Sequence, residues 1–503
     1  MMILLVAQLL TGCFVKNVSA GIIDTGTTVD AGGTRTKSNS NSNSNSNSNS
    51  INFIAIGDWG GSEIFPYTTH AQKETAKGMG KVINDNKTNE NNAIDFVLAL
   101  GDNFYSHGLQ QQQQQGHERE QYSYYGNSNI NTRFVHTFAD VYLPYMIKNT
   151  TAASRRQRRR RNTTRNSNNN NSTTTRRSAS IDIIPWYIIG GNHDHIGNIS
   201  IQIDHTYDTK HNLQRIWNFP SLYHSHSARL VGANSSSSEF NATSTLPLSS
   251  LIITDSIGKE DENDPDNTAV AVTLDFIMID TIELCGLNEE YIPLPLREKN
   301  YTKQSQIQWE WIEEQLASSN ADYVVVAGHY PMYSVCSHGP TETLIHHLRP
   351  LLYKYGAHYL SGHDHCMVHY EEQHQRQQQS EPQQPNISGE NYDDNNDDGD
   401  NNDDSHGHSD DDDIDVVHYV LSGMGDECCY KATNLDGNNT LNPSPGSKVL
   451  KWFVSHENQK LYNNVLGGFT TFRADPTQMI IRYHDHRGNI MYTANPIVPR
   501  EKY

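Results

Sequence analysis

From Ile51 onward, short dense apolar runs alternate with stretches whose apolar residues recur every three or four positions. A run of five or six apolar residues bounded by glycine predicts a buried strand, and the longer spacing predicts an amphipathic helix. The pattern gives strand 51–56, helix near 68–84, strand 95–100, helix near 132–147 and strand 184–190. After a polar connection come strand 270–280, helix near 303–318, strand 323–327, helix near 341–355 and strand 358–361. In the helix near 303–318, Ile307, Trp311, Ile312 and Gln315 fall at helical spacing. Beyond residue 415, VVHYVLSGMG, GGFTTFRAD, QMIIRYHD and NIMYTAN alternate apolar and polar positions and read as an antiparallel set closing a second sheet. The expected fold class is α+β, an α/β four-layer arrangement: two packed mixed β-sheets flanked by helices, in one catalytic domain over 51–503.

Five of the predicted strands end alike: an apolar run, a glycine, then a side chain that can bind metal. They are INFIAIGDWGG from Ile51, DFVLALGDNFY from Asp95, WYIIGGNHDH from Trp186, YVVVAGHYP from Tyr323 and HYLSGHDHC from His358. Glycine lets the backbone turn sharply and approach a ligand closely. The polar residue after it stands at the carboxyl edge of a sheet, where open α/β sheets bind ligands. A lone Gly-Asp is usually a turn and a lone histidine usually packs. Five such endings that deliver Asp58, Asp102, Asn192, His329, His363 and His365 to one edge instead describe a centre for two metal ions. A bridged pair needs a shared carboxylate, further oxygen and nitrogen donors on each ion, and an open face. His363 and His365 are two apart, so on extended chain they point the same way.

Composition narrows the domain and the partners. The serine–asparagine run 39–50, the glutamines 110–115, an Arg/Asn-rich stretch containing Arg155–Arg161 and the acidic run 389–415 cannot bury enough apolar surface to order themselves. Roughly 300 residues remain, enough for one sizeable domain. Thirteen acids between Glu390 and Asp415 supply most of the net charge of −20; without them the balance is about −7, which suggests no nucleic-acid partner. Residues 1–20 have an apolar core ending in Val18-Ser19-Ala20, a signal-peptide pattern, and 21–50 form a low-complexity leader. N-x-S/T sequons at Asn86, Asn149, Asn198, Asn241, Asn300 and Asn386 fit the secretory route, although asparagine-rich tracts create such triplets by chance. No later segment is apolar for long enough to span a bilayer. Secretion, or delivery to a lysosome or vacuole, is expected. Cys285, Cys336, Cys366, Cys428 and Cys429 show no C-x-x-C spacing, which argues against a zinc ribbon or dithiol centre and leaves disulfide pairing open.

The set GD, GDN, GNHD, GHYP and GHDH resembles the calcineurin-like metallophosphoesterases. The finer text, GDNFY with Tyr105, PWYIIGGNHDHIGN, RIWNFPSLY, DTIELCG and VVVAGHYPMYSVCSHGP, resembles the small, mammalian-type purple acid phosphatases, also called tartrate-resistant acid phosphatases. The likeness covers about 51–500, interrupted by insertions near 110–131, 149–181, 230–268, 372–415 and 430–463, the first four expected to be disordered. It implies the metallophosphoesterase sandwich and a ligand set. Asp58, Tyr105 and His365 would hold a ferric ion, Asp102 would bridge, and Asn192, His329 and His363 would hold a divalent iron, zinc or manganese. Tyr105 discriminates within the superfamily, because a phenolate favours a trivalent ion and gives these enzymes their colour. The family's histidines at His193 and His338 bind phosphate and assist the leaving group, while Asp194 and His195 are expected as supports or packing.

The implied activity is hydrolysis of phosphomonoesters, small molecules or phosphoproteins, by direct attack of water activated at the metal pair. The chain departs from the family at Thr343, where relatives commonly place a cysteine bonded to the equivalent of Cys285; that bridge would be missing or rerouted to Cys336. Residues 284–301 stand where relatives carry a clipped loop over the active site. Two alternatives remain open: a related metal-dependent phosphodiesterase or nucleotidase, and a non-catalytic secreted metal- or mineral-binding protein acting through its acidic insertion. Neither the natural substrate nor the oligomeric state is legible.

Overall fold

The computed structural model describes residues 50–86, 93–110, 132–146, 183–212, 215–232, 249–254, 270–286, 301–375, 414–435, 440–443 and 446–501. Residues 1–49 with the signal-like segment, Arg155–Arg161, the acidic run up to residue 413 and most of the 284–301 loop lie outside them. The strands are β1 (Ile51–Ile56), β2 (Phe96–Leu100), β3 (Trp186–Ile189), β4 (Trp217–Asn218), β5 (His224–Gly232), β6 (Ser249–Thr254), β7 (Val270–Met278) and β8 (Tyr323–Ala327). They continue with β9 (Ala357–Ser361), β10 (Met367–Gln375), β11 (Ile414–Ser422), β12 (Leu450–Val454), β13 (Gly468–Ala474), β14 (Met479–Asp485) and β15 (Ile490–Thr493).

Two mixed sheets result. One runs β15-β14-β13-β1-β2-β3-β4, the other β12-β10-β11-β9-β8-β7-β5-β6. Strands β1, β2 and β3 are mutually parallel neighbours, as are β7, β8 and β9. Every residue of β1, β2, β3, β8 and β9 is buried, because each sheet packs the other sheet on one face and helices on the opposite face. Burial on both faces is why these strands read as unbroken apolar runs without alternation.

Between the sheets, Phe53 of β1 stacks on its register neighbours Phe96 (5.1 Å) and Phe472 (4.5 Å) and meets Phe276 of β7 edge-on at 5.2 Å. These rings clamp one sheet onto the other, and truncating a residue such as Phe53 to alanine would cost about 3–5 kcal/mol. Outside the first sheet, helix His70–Asn86 and the helical stretch Phe134–Tyr145 cover a cluster around Trp59, Trp186 and Trp217. Outside the second, helices Thr281–Cys285, Tyr301–Ser318 and Glu342–Tyr355 cover Ile312, Leu344, Leu348 and Tyr359. Ile312 is buried in this layer, whereas Ile307 is 49% exposed, so helical spacing extended the apolar face one position too far.

Several elements depart from the sequence reading: of the expected antiparallel set closing the second sheet, only β11 joins that sheet, parallel to β9, while β13, β14 and β15 extend the sheet of β1. The polar connection before residue 270 contains β4 and β5, and the expected insertions near 230–268 and 430–463 contribute β6 and β12 to the second sheet. Strand β5 escapes the apolar pattern because it begins His224-Ser225-His226-Ser227, four buried polar residues. Cys336 is bonded to Cys366, 6.8 Å apart at Cα, and Cys428 to its neighbour Cys429. Cys285 stays a free thiol, so rerouting its bridge to Cys336 is corrected: Cys366 already occupies that sulfur.

Candidate metal centre

Parallel neighbours end at the same edge of a sheet. The ends of β1, β2 and β3 in one sheet therefore meet the ends of β8 and β9 in the other. The seam is hydrogen bonded across the sheets: Gly57 N donates to Ser422 O (2.8 Å), the His329 ring Nδ1 to Leu100 O (2.8 Å) and His363 N to Asp58 Oδ2 (2.7 Å). Close approach demands glycine. A Cβ on Gly101, at φ +91°, would stand 2.6 Å from His329 Nδ1, and one on Gly191 would overlap the Asp102 carboxylate. Asp58, Asp102 and His363 themselves adopt left-handed backbone, with φ of 56°, 51° and 75°. Such residues cost on the order of 1–3 kcal/mol each and gather at functional sites.

Two groups of side chains converge there. Tyr105 Oη lies 3.0 Å from Asp58 Oδ1 and 3.0 Å from His365 Nε2, with Asp58 and His365 3.8 Å apart. His329 Nε2 lies 2.9 Å from Asn192 Oδ1 and 3.4 Å from Asp102 Oδ2, and donor atoms of Asp102, His329 and His363 lie within 4.8 Å of one another. All seven sequence-predicted ligand residues are thus placed in these two groups. His193 reaches in from the side: its ring Nδ1 is tied to Ser106 O, its backbone N–H donates to Asp102 Oδ1 (3.0 Å), and Nε2 is 3.9 Å from Asp102 Oδ2. His338 is exposed and stacks on the His363 ring at 4.1 Å, while Asp364 holds its loop by accepting the His338 N–H (2.9 Å).

The donor set fits cations. Asp58 and Asp102 are buried, and among the described residues the cationic partners within 4 Å of their oxygens are imidazoles. Burial, with the Asp102 charge beside it, pushes Asp58 up to about 6 against the pull of His329 and His365. Asp102 is likewise penalised by burial, but His329 and His193 outweigh it and hold its carboxyl well below the usual range. Burial and the two carboxylates push the Tyr105 phenol well above its ordinary value, so ionising it takes strong positive charge at the site. Burial alone would lower His365 and His329; facing carboxylates instead raise each to about 9. With Nδ1–H committed to Leu100 O, His329 turns Nε2 toward two oxygen acceptors, an arrangement that calls for a proton or a cation between them.

Asp194 and His195 are supports. Asp194 accepts from Gly191 N (2.9 Å), Asn103 N (3.0 Å) and Gln202 Nε2 (2.7 Å), which locks the turn that carries Asn192. His195 Nε2 pairs with Asp280 Oδ2 at 2.8 Å. The sequence reading missed the end of β11. Asp426 is buried with its N–H on Asp58 O (2.8 Å), and Tyr430 lies parallel on the His365 ring at 4.4 Å. The signal was present as VLSGMGD, a sixth apolar run closed by glycine and an acid.

The family model for calcineurin-like phosphoesterases matches residues 51–367, and the chain belongs to that family. Within it, the chain is similar to tartrate-resistant acid phosphatases type 5. It is 30% identical to the Homo sapiens protein over 325 residues, covering 64% of this chain and 69% of that protein, and 29% identical to that of Oryctolagus cuniculus over 324 residues, with the same coverage. Purple acid phosphatase 17 of Arabidopsis thaliana is 24% identical over 320 residues, 63% of each chain. Among solved structures, the yellow lupin purple acid phosphatase PPD1 aligns over 90% of this chain and 54% of its own, at 12% identity and a TM-score of 0.40. GAP50, the anchor in the inner membrane complex of Plasmodium, aligns over 90% of both chains at 15% identity and a TM-score of 0.48. The family implies a two-metal centre.

Proposed function

We propose that this chain is a purple acid phosphatase that hydrolyses phosphomonoesters at an Fe(III)–M(II) pair. The observation that carries the reading is Tyr105, whose hydroxyl lies 3.0 Å from both Asp58 and His365. Asp58, Tyr105 and His365 would hold the trivalent ion; Asn192, His329 and His363 would hold divalent iron, zinc or manganese; Asp102 would be shared. Two bound cations about 3.5–4 Å apart neutralise phosphoryl oxygens and acidify water.

The chain's own residues then orient and protonate. His193 and His338 border the centre and bind the phosphate oxygens. As water oxygen bonds to phosphorus and gives up a proton to solvent, the ester P–O bond on the opposite side breaks; the departing alkoxide takes a proton from one of these imidazoles as imidazolium, which solvent then reprotonates. Asp364 positions the His338 loop, and Asp194 positions the turn carrying Asn192 and His193. The catalytic domain would span 51–503. The N-terminal segment would direct it to the secretory route; among the described residues no helix is long and apolar enough to cross a membrane.

The test is purified protein measured for iron content, visible absorption and phosphomonoesterase activity at acid pH. Iron, a visible band and acid activity together support the reading. Colourless, iron-free protein active only with added manganese would favour a phosphodiesterase or nucleotidase instead.

A further inference from the structure

A second cluster of metal-competent side chains lies on β10 and β11, built from residues outside the centre described above. His369 and Glu371 are two apart on β10, so they share one face of the sheet. The antiparallel register places His418 of β11 directly opposite Glu371, on that same face. The three side chains are buried at 0%, 6% and 2% exposure. Placing two imidazoles and a carboxylate together in a core is costly unless their polar atoms are satisfied.

Two of the three donor separations match those around a bound ion. His369 Nε2 lies 3.3 Å from Glu371 Oε1 and 3.3 Å from His418 Nδ1, and donor atoms of the three residues lie within 4.8 Å of one another. A tetrahedral zinc ion with bonds of about 2.0–2.1 Å keeps its donors about 3.3–3.4 Å apart. The surrounding residues orient the donors. Tyr483 spends its single hydroxyl proton on Val368 O (3.1 Å), so it accepts from the His369 Nδ1–H at 2.9 Å. That fixes the tautomer and leaves Nε2 aimed at the cluster. The outer oxygen of Glu371 is held by Asn495 Nδ2 (2.9 Å) and Lys451 Nζ (3.4 Å), which leaves Oε1 for the histidines. Neighbours that fix the tautomer and rotamer of a ligand are the usual outer support of a metal site.

We propose that His369 Nε2, His418 Nδ1 and Glu371 Oε1 bind one divalent transition-metal ion of the zinc class. It acts as a structural staple between β10 and β11 and, through Tyr483, joins them to β14 of the opposite sheet. Imidazole and carboxylate donors in a site of three protein ligands suit zinc over magnesium or calcium, and they leave one position for water.

The experiment uses full-length protein, stripped with a chelator and reloaded with zinc, its metal content then measured per chain. The double variant His369→Gln/His418→Gln should carry one equivalent less than wild type, with phosphomonoesterase kcat, measured before stripping, within threefold. The count is a difference between two proteins, so it holds whatever the Asp58–His365 centre binds. Tyr483→Phe keeps the core volume and should weaken this one zinc equivalent by about 10–100-fold, which keeps the question answerable if the double variant misfolds. An unchanged zinc stoichiometry in a folded double variant, or an unchanged zinc affinity in Tyr483→Phe, would overturn the assignment in favour of a hydrogen-bonded His–Glu cluster.

Discussion

Gly190 and Gly191 are adjacent, yet alanine should affect them very differently. A Cβ on Gly190 would overlap only the terminal methyl of Ile199, with Phe219 and His195 at ordinary contact distances of 3.6 and 3.7 Å. A Cβ on Gly191 would lie 2.9 Å from Asp102 Cγ and closer still to Asp102 Oδ1 and its backbone nitrogen. A methyl at the end of a side chain can rotate away; a backbone nitrogen at the end of β2 cannot. Restoring carbon contacts of about 3.5 Å would displace the Asp102 carboxylate by roughly 1 Å, and a misplacement of that size costs about 10²-fold in rate.

Gly191→Ala is therefore expected to lower kcat about a hundredfold, with an overpacking cost of about 1–3 kcal/mol. Gly190→Ala should stay within a few-fold of wild type. Steady-state kinetics on a phosphomonoester, paired with thermal melts, separate the rate loss from unfolding. If folded Gly191→Ala keeps activity within threefold of wild type, Asp102 does not hold the reacting centre in place.

Other substitutions probe separate parts of the account. Tyr105→Phe should fold normally but lose the visible absorption band, which absorption spectroscopy of iron-loaded protein checks directly. His338→Ala should lower kcat by about 10²-fold for alkyl phosphates and much less for aryl phosphates, whose leaving groups need little protonation; equal losses on both would remove His338 from proton donation. Asp280→Asn keeps an oxygen to cap helix Thr281–Cys285 but removes the charge facing His195. Burial pulls His195 down, yet Asp280 raises it above 6.5 overall. The pair therefore stabilises fully below the unfolded value and is lost as pH rises through the folded one. Denaturant melts should show Asp280→Asn destabilised by about 1.5–3 kcal/mol at pH 5 and by clearly less at pH 8.

The ligand-bearing strand ends were legible because β1, β2, β3, β8 and β9 are buried on both faces. Their apolar runs are continuous, and each stops at a glycine that the close seam requires. Strand β5 was not legible, since its first four residues are polar yet buried, with His224 Nε2 on Ile188 O at 3.0 Å. Strand β12 sits in a polar stretch and earns its place through Trp452, which lies parallel to Tyr492 at 4.9 Å. Nor did local sequence reveal the left-handed backbone of Asp58, Asp102 and His363, a consequence of two sheets meeting at one seam. His369, Glu371 and His418 were hidden for a topological reason: β10 and β11 pair in space, while residues 376–413 separate them in the chain.

Diffraction from crystals of the purified protein, with anomalous data at the iron edge, tests the central claim most directly. The account predicts an iron bound by Asp58, Tyr105 and His365. It also predicts a second ion about 3.5–4 Å away on Asn192, His329 and His363, with Asp102 bound to both. A single ion, or an iron that Tyr105 does not touch, would contradict it.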